Sequence, residues 1–544
     1  MFEAHEGLCG AGILFMVPAL ISQGLLKTKD FYTIPHSHYY GLESIMLTIA
    51  FMALARIKNP EQLKQCKPGE IGRIIGLDRI PEVSCLRQKI KLLSDQNQSN
   101  HLNQQLVDYW YEDEATREGF LYIDGHVRIY YGAQANLPSK YVSRQKLCLH
   151  ATTEYWVNDA QGLPVLMVMG ELTEKLTQVI EQQIIPQLQQ TVFLKQKEEK
   201  QNSSIEKKED DIPACTLIFD REAYEPKFFQ RLWDKYRIAV ITYRKNVKDF
   251  WDTKDFLINK VVVLEQTITM QLCEKAIALE GIPFREVRKL NDNGHQTSIL
   301  TNNKHIDMPT IAGRMFGRWS QENFFRYMIY DYDFDKMIQF GTQEVDPNKE
   351  VVNPEYRKIN QRIKKLREKI QRLKAQLFPI LEQSMDQPID TIPKFTTQQI
   401  RINENLEYYK LEEAGLLHQR VQIKPRIKIS EMPEQHRYNK LKHESKLLMN
   451  IIKMICYRAE TTVASILSEK LINASNEKRM LVKQIIEANA DIYPDYSNNT
   501  LTVKLHSLST PRFNQAVHHL AKVLTESETI FPGTSLKLIF KSSA

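Results

Sequence analysis

Several patterns by which chemistry is usually read from a sequence are missing from these 544 residues. The seven cysteines are scattered, without a CxxC pair or a His–Cys cluster, which argues against structural zinc and for reduced thiols. There is no Gly-rich phosphate loop, no Ser nucleophile elbow and no HExxH motif. Glycine (20) and proline (22) are too few for a collagen-like or low-complexity chain. A hydrophobic fraction of 42% instead indicates a globular protein, and the length predicts about three or four domains.

Long uncharged stretches are equally scarce. Residues 7–26 have the length of a membrane span, ~20 residues, but Pro18 and two polar residues interrupt the run and no basic region precedes it. We therefore predict buried helices in this stretch and at residues 45–55. Because no signal peptide is visible, the expected location is the cytoplasm, without a membrane partner.

The spacing of apolar residues predicts an α/β protein made of four segments. Residues 1–118 and 350–475 show the three- and four-residue spacing of helices. Residues 119–345 alternate between strands and helices, which predicts a mixed sheet with flanking helices. Residues 476–544 predict a small α/β module. A charged run at 195–211, which has no aromatic residue, is typical of a linker or a disordered insertion.

The N-terminal segment contains a candidate DNA-binding motif at residues 68–93. Two short helices are predicted there, separated by a turn that follows Gly76, as in a helix-turn-helix. The second helix carries Arg87, Lys89 and Lys91, which would face phosphates or bases if this helix entered a DNA groove. An ordinary helical hairpin fits the same pattern equally well.

The excess positive charge of the chain is concentrated in one predicted helix. The formal net charge is +7, and residues 354–377 hold nine Lys or Arg, among them Lys364 and Lys365, against two Glu. Apolar residues recur there at spacings of 4, 3, 4, 3 and 4, beginning at Ile359. This pattern predicts either a phosphate-binding helix with salt-dependent DNA binding or the solvated outside of a coiled coil.

Three acidic residues stand within or at the ends of apolar elements. Asp124 lies within a predicted strand, Asp220 ends a strongly apolar strand, and Glu322 lies among aromatic residues of a predicted helix. A carboxylate in such surroundings is costly unless it is paired or binds a metal ion. Three carboxylates brought together suit Mg²⁺ or Mn²⁺, and two such ions support phosphodiester chemistry. For any one of the residues alone, a capped turn or a salt bridge is the simpler explanation.

This arrangement resembles that of the DDE transposases of bacterial insertion sequences, whose catalytic core is ribonuclease H-like. The likeness extends over nearly the whole chain and rests on stretches such as GEIGRIIGLDRIPEVSCLRQKI, YIDGHVRIYYG, FDREAYEPKFF and GRWSQENFFRYM. It implies that Asp124, Asp220 and Glu322 bind two metal ions. It also implies nicking of double-stranded DNA at transposon ends, attack of the freed 3′-hydroxyl on target DNA, and a homodimer in the active complex.

The surroundings of Glu322 resemble the arginine–glutamate part of a signature found in related transposases. Arg318 precedes Glu322 by four residues, which places both side chains on one face of a helix, and the resemblance implies that Arg318 contacts a phosphate. Met315 and Ile329 stand where the full signature has tyrosine and lysine. The hairpin-forming chemistry associated with the full signature therefore does not follow from this sequence.

Four neighbouring features have competing interpretations. The acidic run DYDFD at 331–335 is either a set of metal ligands or, as we expect, a solvated helix end. Glu222 is a candidate to assist the carboxylate site. His126 shares a strand face with Asp124 and is either a phosphate contact or a structural residue. Trp319 either stacks on an unpaired base or, as we expect, lies in the core.

The sequence therefore predicts a DNA transposase that hydrolyses phosphodiester bonds at transposon ends, joins those ends to target DNA and works at the bacterial nucleoid. Two other hypotheses stay open: a catalytically inactive or domesticated DNA-binding protein, and a metal-dependent nuclease without strand transfer. A cleavage assay on matched end sequences separates the first from an active enzyme. Joined products separate a transposase from a nuclease.

Overall fold

The computed structural model describes residues 1–543 except 36–37, 113–118, 133–134, 143–144, 171–173, 195–211, 265, 335–340, 386–391 and 472–474. The predicted insertion at 195–211 lies outside the described residues, as does Asp335. Within the part that is described, no helix is long and apolar enough to cross a membrane.

The helices alternate with strands along much of the chain. In chain order they are α1 (Val17–Ser22), α2 (Leu42–Leu54), α3 (Pro68–Ile74), α4 (Val83–Ser94), α5 (Ser99–Trp110), α6 (Leu176–Val179), α7 (Ile185–Gln189), α8 (Pro226–Tyr236), α9 (Met308–Phe316), α10 (Trp319–Tyr330), α11 (Pro354–Met385), α12 (Ile392–Val421), α13 (Glu444–Ser468), α14 (Ser475–Glu487) and α15 (Pro511–Glu526).

The strands fall mainly between the N-terminal helices and α9. In chain order they are β1 (His5–Leu8), β2 (Phe120–Ile129), β3 (Ser139–Val142), β4 (Leu147–Asn158), β5 (Pro164–Gly170), β6 (Cys215–Phe219), β7 (Ile238–Tyr243), β8 (Leu257–Val263), β9 (Gln266–Leu279), β10 (Ile282–Leu290), β11 (Gln296–Thr301), β12 (Thr342–Gln343), β13 (Glu350–Val352), β14 (Arg426–Lys428), β15 (Lys440–Leu441), β16 (Ala490–Asp495), β17 (Thr500–Leu505) and β18 (Lys537–Ser542).

The described residues group into two compact units. The larger unit contains residues 1–131, 139–341 and 441–544, and the smaller unit contains residues 132–138 and 342–440. This grouping does not test the boundaries of the four predicted segments, which stay predictions.

A ten-stranded sheet dominates the larger unit. Its strand order is β3-β4-β2-β6-β7-β11-β10-β9-β8, and β5 also pairs with β4. The strands β2, β4 and β5 are antiparallel neighbours, whereas β6 and β7 run parallel to β2. The predicted mixed α/β class is confirmed. The sequence predicts these five strands well because their side chains alternate between two buried layers.

The hairpin between β4 and β5 is formed by local turn chemistry. The Asp159 carboxylate accepts hydrogen bonds from the backbone N–H groups of Gln161 and Leu163, at 2.9 and 2.8 Å. Gly162 has a φ of +80° and approaches Ser320 so closely that a Cβ at this position would lie 3.1 Å from the Ser320 Cβ. The tight turn therefore lets the beginning of α10 pack against the end of this hairpin.

Three elements differ from the prediction. The region 1–118, predicted as helical, contains the short strand β1, which pairs with β16. The hairpin of β8 and β9 was not predicted, because many of its side chains are exposed and polar and break the alternation that marks a buried strand. The single helix predicted at 311–330 is in fact two helices, α9 and α10, separated at Gly317 and Arg318.

Helix α13 lies in the core of the larger unit and contacts β5, α1, α2, α4, α5, α14 and α15. Because apolar neighbours surround it, its charged side chains are paired inside the protein. The Glu460 carboxylate accepts hydrogen bonds from Arg56 at 2.7 Å and from the Tyr327 hydroxyl at 2.8 Å. The Lys453 ammonium donates to the Tyr332 carbonyl at 2.8 Å, and burial lowers the pKa of Lys453 to about 8.

The uncharged N-terminal stretches are part of this same core. The 3₁₀ turn Ala11–Met16 and most of α1 are buried, and α2 is buried from Ile45 onward. The prediction of buried helices is therefore confirmed for most of residues 11–22 and for residues 45–54, whereas residues 7 and 8 belong to β1.

In the smaller unit, α11 and α12 form an antiparallel pair. Ile363 and Leu366 of the predicted apolar stripe pack against Leu416 of α12. The ion pair between Arg367 and Glu413, at 2.6 Å, joins the same two helices. The apolar side of α11, whose spacing predicted a coiled coil, is thus covered by α12 of the same chain.

Candidate active site

Two predicted acidic residues meet where β2 and β6 run side by side. These strands are parallel, and their last paired residues are Ile123 and Phe219. Asp124 is the next residue of β2 and Asp220 directly follows the end of β6, so the two lie next to each other on the same face of the sheet. The parallel register alone brings together two carboxylates that are 96 residues apart in the sequence.

Asp220 also has a local structural role. One of its carboxylate oxygens accepts a hydrogen bond from the Glu222 N–H at 2.7 Å and so caps the 3₁₀ turn Arg221–Ala223. The Thr242 hydroxyl donates to the Asp220 carbonyl at 3.1 Å. The simpler explanation for a single acidic residue, that it caps a turn, therefore holds for Asp220. This cap occupies only one of the acceptor positions of the carboxylate, which keeps the capacity to bind a further ligand.

Helix α10 carries Glu322 and is fixed to the sheet by the neighbouring residue. The Gln321 amide nitrogen is hydrogen-bonded to the carbonyls of Tyr122 and Trp156, at 3.1 and 3.2 Å, and to the Asn158 side-chain oxygen at 3.2 Å. Gln321 was not predicted as part of the site. Its only sequence signal is a polar residue beside aromatic ones, which does not reveal what it contacts.

Arg318 stands at the break between α9 and α10. Its guanidinium lies 3.7 Å from a carboxylate oxygen of Asp124, which makes an ion pair rather than a short hydrogen bond. The Nε–H group of Arg318 is buried and has no hydrogen-bond partner among the described residues. Arg318 is therefore beside Asp124 and keeps one donor unused, while its contact with a phosphate stays a prediction.

The electrostatic environment of Asp124 is unfavourable for its charged form. Burial raises the pKa of Asp124 to about 6, and the negative charges of Asp220 and Glu222 add to the rise. The Arg318 guanidinium and the Gly125 N–H oppose this shift. The charge of the Asp124 carboxylate is thus not fully compensated, which is the situation that a bound cation relieves.

A pocket of about 420 Å³ opens between Asp124 and Glu322. Asp124, Gly125 and His126 of β2 form one side, and residues of α10, including Glu322 and Arg326, form the other. His126 is buried and its ring stacks on the rings of Phe325 and Phe334, at centroid distances of 5.8 and 4.7 Å. This histidine forms part of the aromatic wall while lining the pocket, so both of its predicted roles stay open.

Glu322 shares this pocket but does not join the aspartate pair in a single cluster. Within the described ranges, no group of three or more His, Cys, Asp or Glu side chains is placed to hold a metal ion. Glu322 is exposed on the first turn of α10, so its aromatic neighbours do not bury it. Phe324 and Phe325 face the core instead.

The donor set fits a hard divalent cation. The candidate ligands are carboxylate oxygens only, which Mg²⁺ and Mn²⁺ prefer. Mg²⁺ is commonly held by one or two carboxylates, with water and substrate phosphates as the remaining ligands. Asp124 and Asp220 supply such a pair, and Glu322 lies across the same pocket from Asp124.

Two expectations for the neighbouring residues are wrong. Trp319 is 65% exposed rather than part of the core, because it begins α10 on the side that no other described element covers. Asp331 is not solvated: it is buried and paired with Lys483 and with Arg56. Met315, at the position where the full signature has a tyrosine, is completely buried.

The helices of the candidate helix-turn-helix are present as α3 and α4, but their basic residues are partly engaged. Arg87 forms an ion pair with Glu61. Lys89 is buried, and burial lowers its pKa, which does not favour a contact with DNA. The DNA-binding role of this motif stays a prediction.

The basic residues predicted on α11 have a different environment. Lys364 and Lys365 are both exposed, on the side of the helix away from the apolar residues that pack on α12. They are therefore accessible to a phosphate backbone, although DNA binding itself stays a prediction.

A comparison with protein families identifies a family whose model covers nearly the whole chain. The family model Transposase_29, described as "Transposase protein", matches residues 2–543. No curated protein and no solved structure matches the chain. The matched range includes the aspartate pair, Arg318 and Glu322.

Proposed function

The chain belongs to the Transposase_29 family of transposase proteins, and from this premise we propose that it is a metal-dependent transposase of the DDE type. It would nick double-stranded DNA at transposon ends and join the freed 3′-hydroxyl to target DNA. The observation that carries the proposal is the register of β2 and β6, because it makes Asp124 and Asp220 neighbours beside the Arg318 guanidinium.

A ribonuclease H-like core is the finer fold that we propose for residues 119–345. Its support is the strand order, in which β2 lies between the antiparallel β4 and the parallel β6. The acidic residues follow the order that the resemblance implies: Asp124 on the first strand, Asp220 after a neighbouring strand and Glu322 on a later helix.

In this proposal, Asp124, Asp220 and Glu322 hold two Mg²⁺ or Mn²⁺ ions at the pocket. When bound, such ions lower the pKa of a water molecule and stabilise the negative charge of the phosphate that it attacks. The protein itself orients the reacting groups. Gln321 fixes the start of α10, and Arg318 offers its unused N–H to a phosphate oxygen.

The proposed partners are double-stranded DNA and a second copy of the chain. The exposed Lys364 and Lys365 on α11 support a contact with the phosphate backbone. A homodimer in the active complex follows from the resemblance and is part of the proposal, since both ends of a mobile element must be cut and joined together.

The proposal is tested by neutralising the carboxylates one at a time. We expect that Asp124→Asn, Asp220→Asn and Glu322→Gln each abolish Mg²⁺-dependent nicking of DNA that carries the element's ends, because each change removes a negative metal ligand. DNA binding, measured by a mobility shift in the same buffer, should stay close to that of the wild-type chain. Asp292→Asn is the matched control, since Asp292 is exposed in the turn between β10 and β11.

Three results would contradict parts of the proposal. Full nicking by any one of the three variants would remove that residue from the site. Binding without nicking by the wild-type chain would favour an inactive DNA-binding protein. Nicking without joined products, when a free 3′-hydroxyl end is supplied, would favour a nuclease.

A further inference from the structure

The strand β7, which lies next to β6 in the sheet, ends at Tyr243, whose hydroxyl group can donate a hydrogen bond. Tyr243 is the last residue of β7, which runs parallel to β6 with Ile218 paired to Ile241. Two residues further along each strand are Asp220 and Tyr243. Because side chains alternate along a strand, both point to the face that carries Asp124. The middle of β2 and the ends of β6 and β7 therefore present two aspartates and a tyrosine in a row.

The core packing supports this assignment of faces. Ile218 and Ile241 belong to the apolar cluster beneath α9, and Tyr243 packs at the edge of that same cluster. Leu217 and Val240, which precede them by one residue, belong to the cluster on the opposite face. Tyr243 is only partly buried, so its ring is anchored on the core while part of the residue reaches solvent.

Charged groups of the candidate site surround the Tyr243 ring. The Arg221 guanidinium lies 5.8 Å from the centre of the ring. Burial raises the pKa of the Tyr243 hydroxyl, the charges of Arg318 and Arg221 lower it, and the charge of Glu322 raises it. The hydroxyl is therefore protonated near neutral pH and able to donate a hydrogen bond. It is also within electrostatic reach of both Arg318 and Glu322.

The Tyr243 hydroxyl and the Arg318 Nε–H group are therefore two hydrogen-bond donors close to Asp124 and Asp220. Arg318 keeps a buried Nε–H group without an acceptor among the described residues, and a buried donor of this kind costs free energy until it is satisfied. An anionic group bound between Arg318 and the ends of β6 and β7 would provide the acceptor. A phosphate has several oxygens, which allows donors from α10 and β7 to bind it at the same time.

We propose that Tyr243 is a catalytic residue that donates its hydroxyl hydrogen bond to a non-bridging oxygen of the phosphate being cut. This inference rests on the proposed DNA-cutting function. No bond of Tyr243 is made or broken, and its proton stays on the phenol oxygen. The hydrogen bond strengthens as negative charge grows on the phosphate during the attack, so it acts on the rate of cutting more than on DNA binding.

The experiment compares Tyr243→Phe with wild type in the full-length chain. We expect the cleavage rate at saturating DNA and Mg²⁺ to fall about 10- to 100-fold, the range for losing one hydrogen bond to a charged group. The dissociation constant for DNA and the melting temperature should stay unchanged, because the ring is kept. Tyr224→Phe is the matched control, since Tyr224 packs on the opposite face of the sheet, and it should cut at the wild-type rate.

A chemical change in the DNA tests this hydrogen bond directly. A methylphosphonate at the cleavage position replaces one non-bridging oxygen by a methyl group, in either of two stereoisomers. With the stereoisomer that lacks the oxygen bound by Tyr243, wild type and Tyr243→Phe should cut at equal rates. A purely structural role of Tyr243 would leave the ratio of their rates the same for both stereoisomers and for natural DNA.

The outcomes separate this inference from the proposed function. If Tyr243→Phe cuts like wild type while Asp124→Asn is inactive, the inference is overturned and the proposed function stands. A slower Tyr243→Phe that also melts lower or binds DNA more weakly overturns the inference in favour of a structural role. If the wild-type chain does not cut DNA at all, both fall together.

Discussion

Replacing Gln321 by leucine removes the amide that holds α10 against the sheet. The Gln321 nitrogen serves three acceptors, namely the carbonyls of Tyr122 and Trp156 and the side-chain oxygen of Asn158. Gln321 is 1% exposed, so water cannot replace these bonds. Leucine has nearly the same volume, and the change therefore tests the hydrogen bonds with little contribution from a cavity.

The magnitude follows from the number of bonds. The amide has two hydrogens, and each net hydrogen bond contributes about 1 kcal/mol. The acceptors that stay buried without a donor add a further cost of up to about 2 kcal/mol in total. We therefore expect Gln321→Leu to destabilise the attachment of α10 by roughly 2–4 kcal/mol.

Hydrogen–deuterium exchange of peptides from α10 and β2 measures this change. A loss of 2–4 kcal/mol corresponds to exchange of the backbone amide hydrogens that is roughly 30- to 900-fold faster. This factor applies both if α10 detaches by itself and if the whole larger unit unfolds. Asn323→Leu is the matched control, because Asn323 is an exposed residue of the same helix, and its exchange should change less than about threefold. Equal exchange in the two variants would refute the assignment of Gln321 as the anchor of Glu322.

Two further predictions concern buried and exposed charges. Glu286 is completely buried and accepts hydrogen bonds from Arg244, Arg288 and Ser298 at 2.5, 2.7 and 2.6 Å. Glu286→Gln should therefore lower the free energy of unfolding by about 3–5 kcal/mol, measured by urea denaturation against the exposed control Glu280→Gln; a loss as small as that of the control would contradict the role of this network. For α11, replacing Lys364 and Lys365 by alanine should flatten the plot of log binding constant against log salt by about 0.9 for each DNA phosphate that the variant no longer neutralises. An unchanged slope, equal to that of a variant lacking the exposed lysines of α8, would leave α11 without a role in DNA binding.

The strands that carry the candidate site, and the positions of the acidic residues along them, could be predicted from the sequence. The strands β2, β6 and β7 are continuous apolar or alternating runs. The position of Asp124 within β2 and of Asp220 directly after β6 therefore followed from local patterns. Their proximity did not follow in the same way. It depends on the parallel pairing of β2 with β6, which no local pattern encodes.

Other features depend on interactions between distant residues and were missed for that reason. The apolar spacing continues from α9 into α10, so nothing in it marks the break at Arg318. The exposure of Trp319 depends on which side of α10 is covered, and composition does not encode this. The strand β1 has four residues and pairs with β16, more than 480 residues later, and such a short segment has no detectable period.

The position of α13 has a consequence for the synthesis of the protein. A ribosome completes Glu322 roughly 150 residues before it completes α13, an interval of roughly 7–30 s at elongation rates of about 5–20 residues per second. During this time α2, α4, α5 and β5 lack the helix that covers their apolar sides. The nascent chain therefore carries every acidic residue of the site before it can close its core. A messenger RNA truncated before the codon for residue 441 would therefore yield an unfinished, aggregation-prone chain.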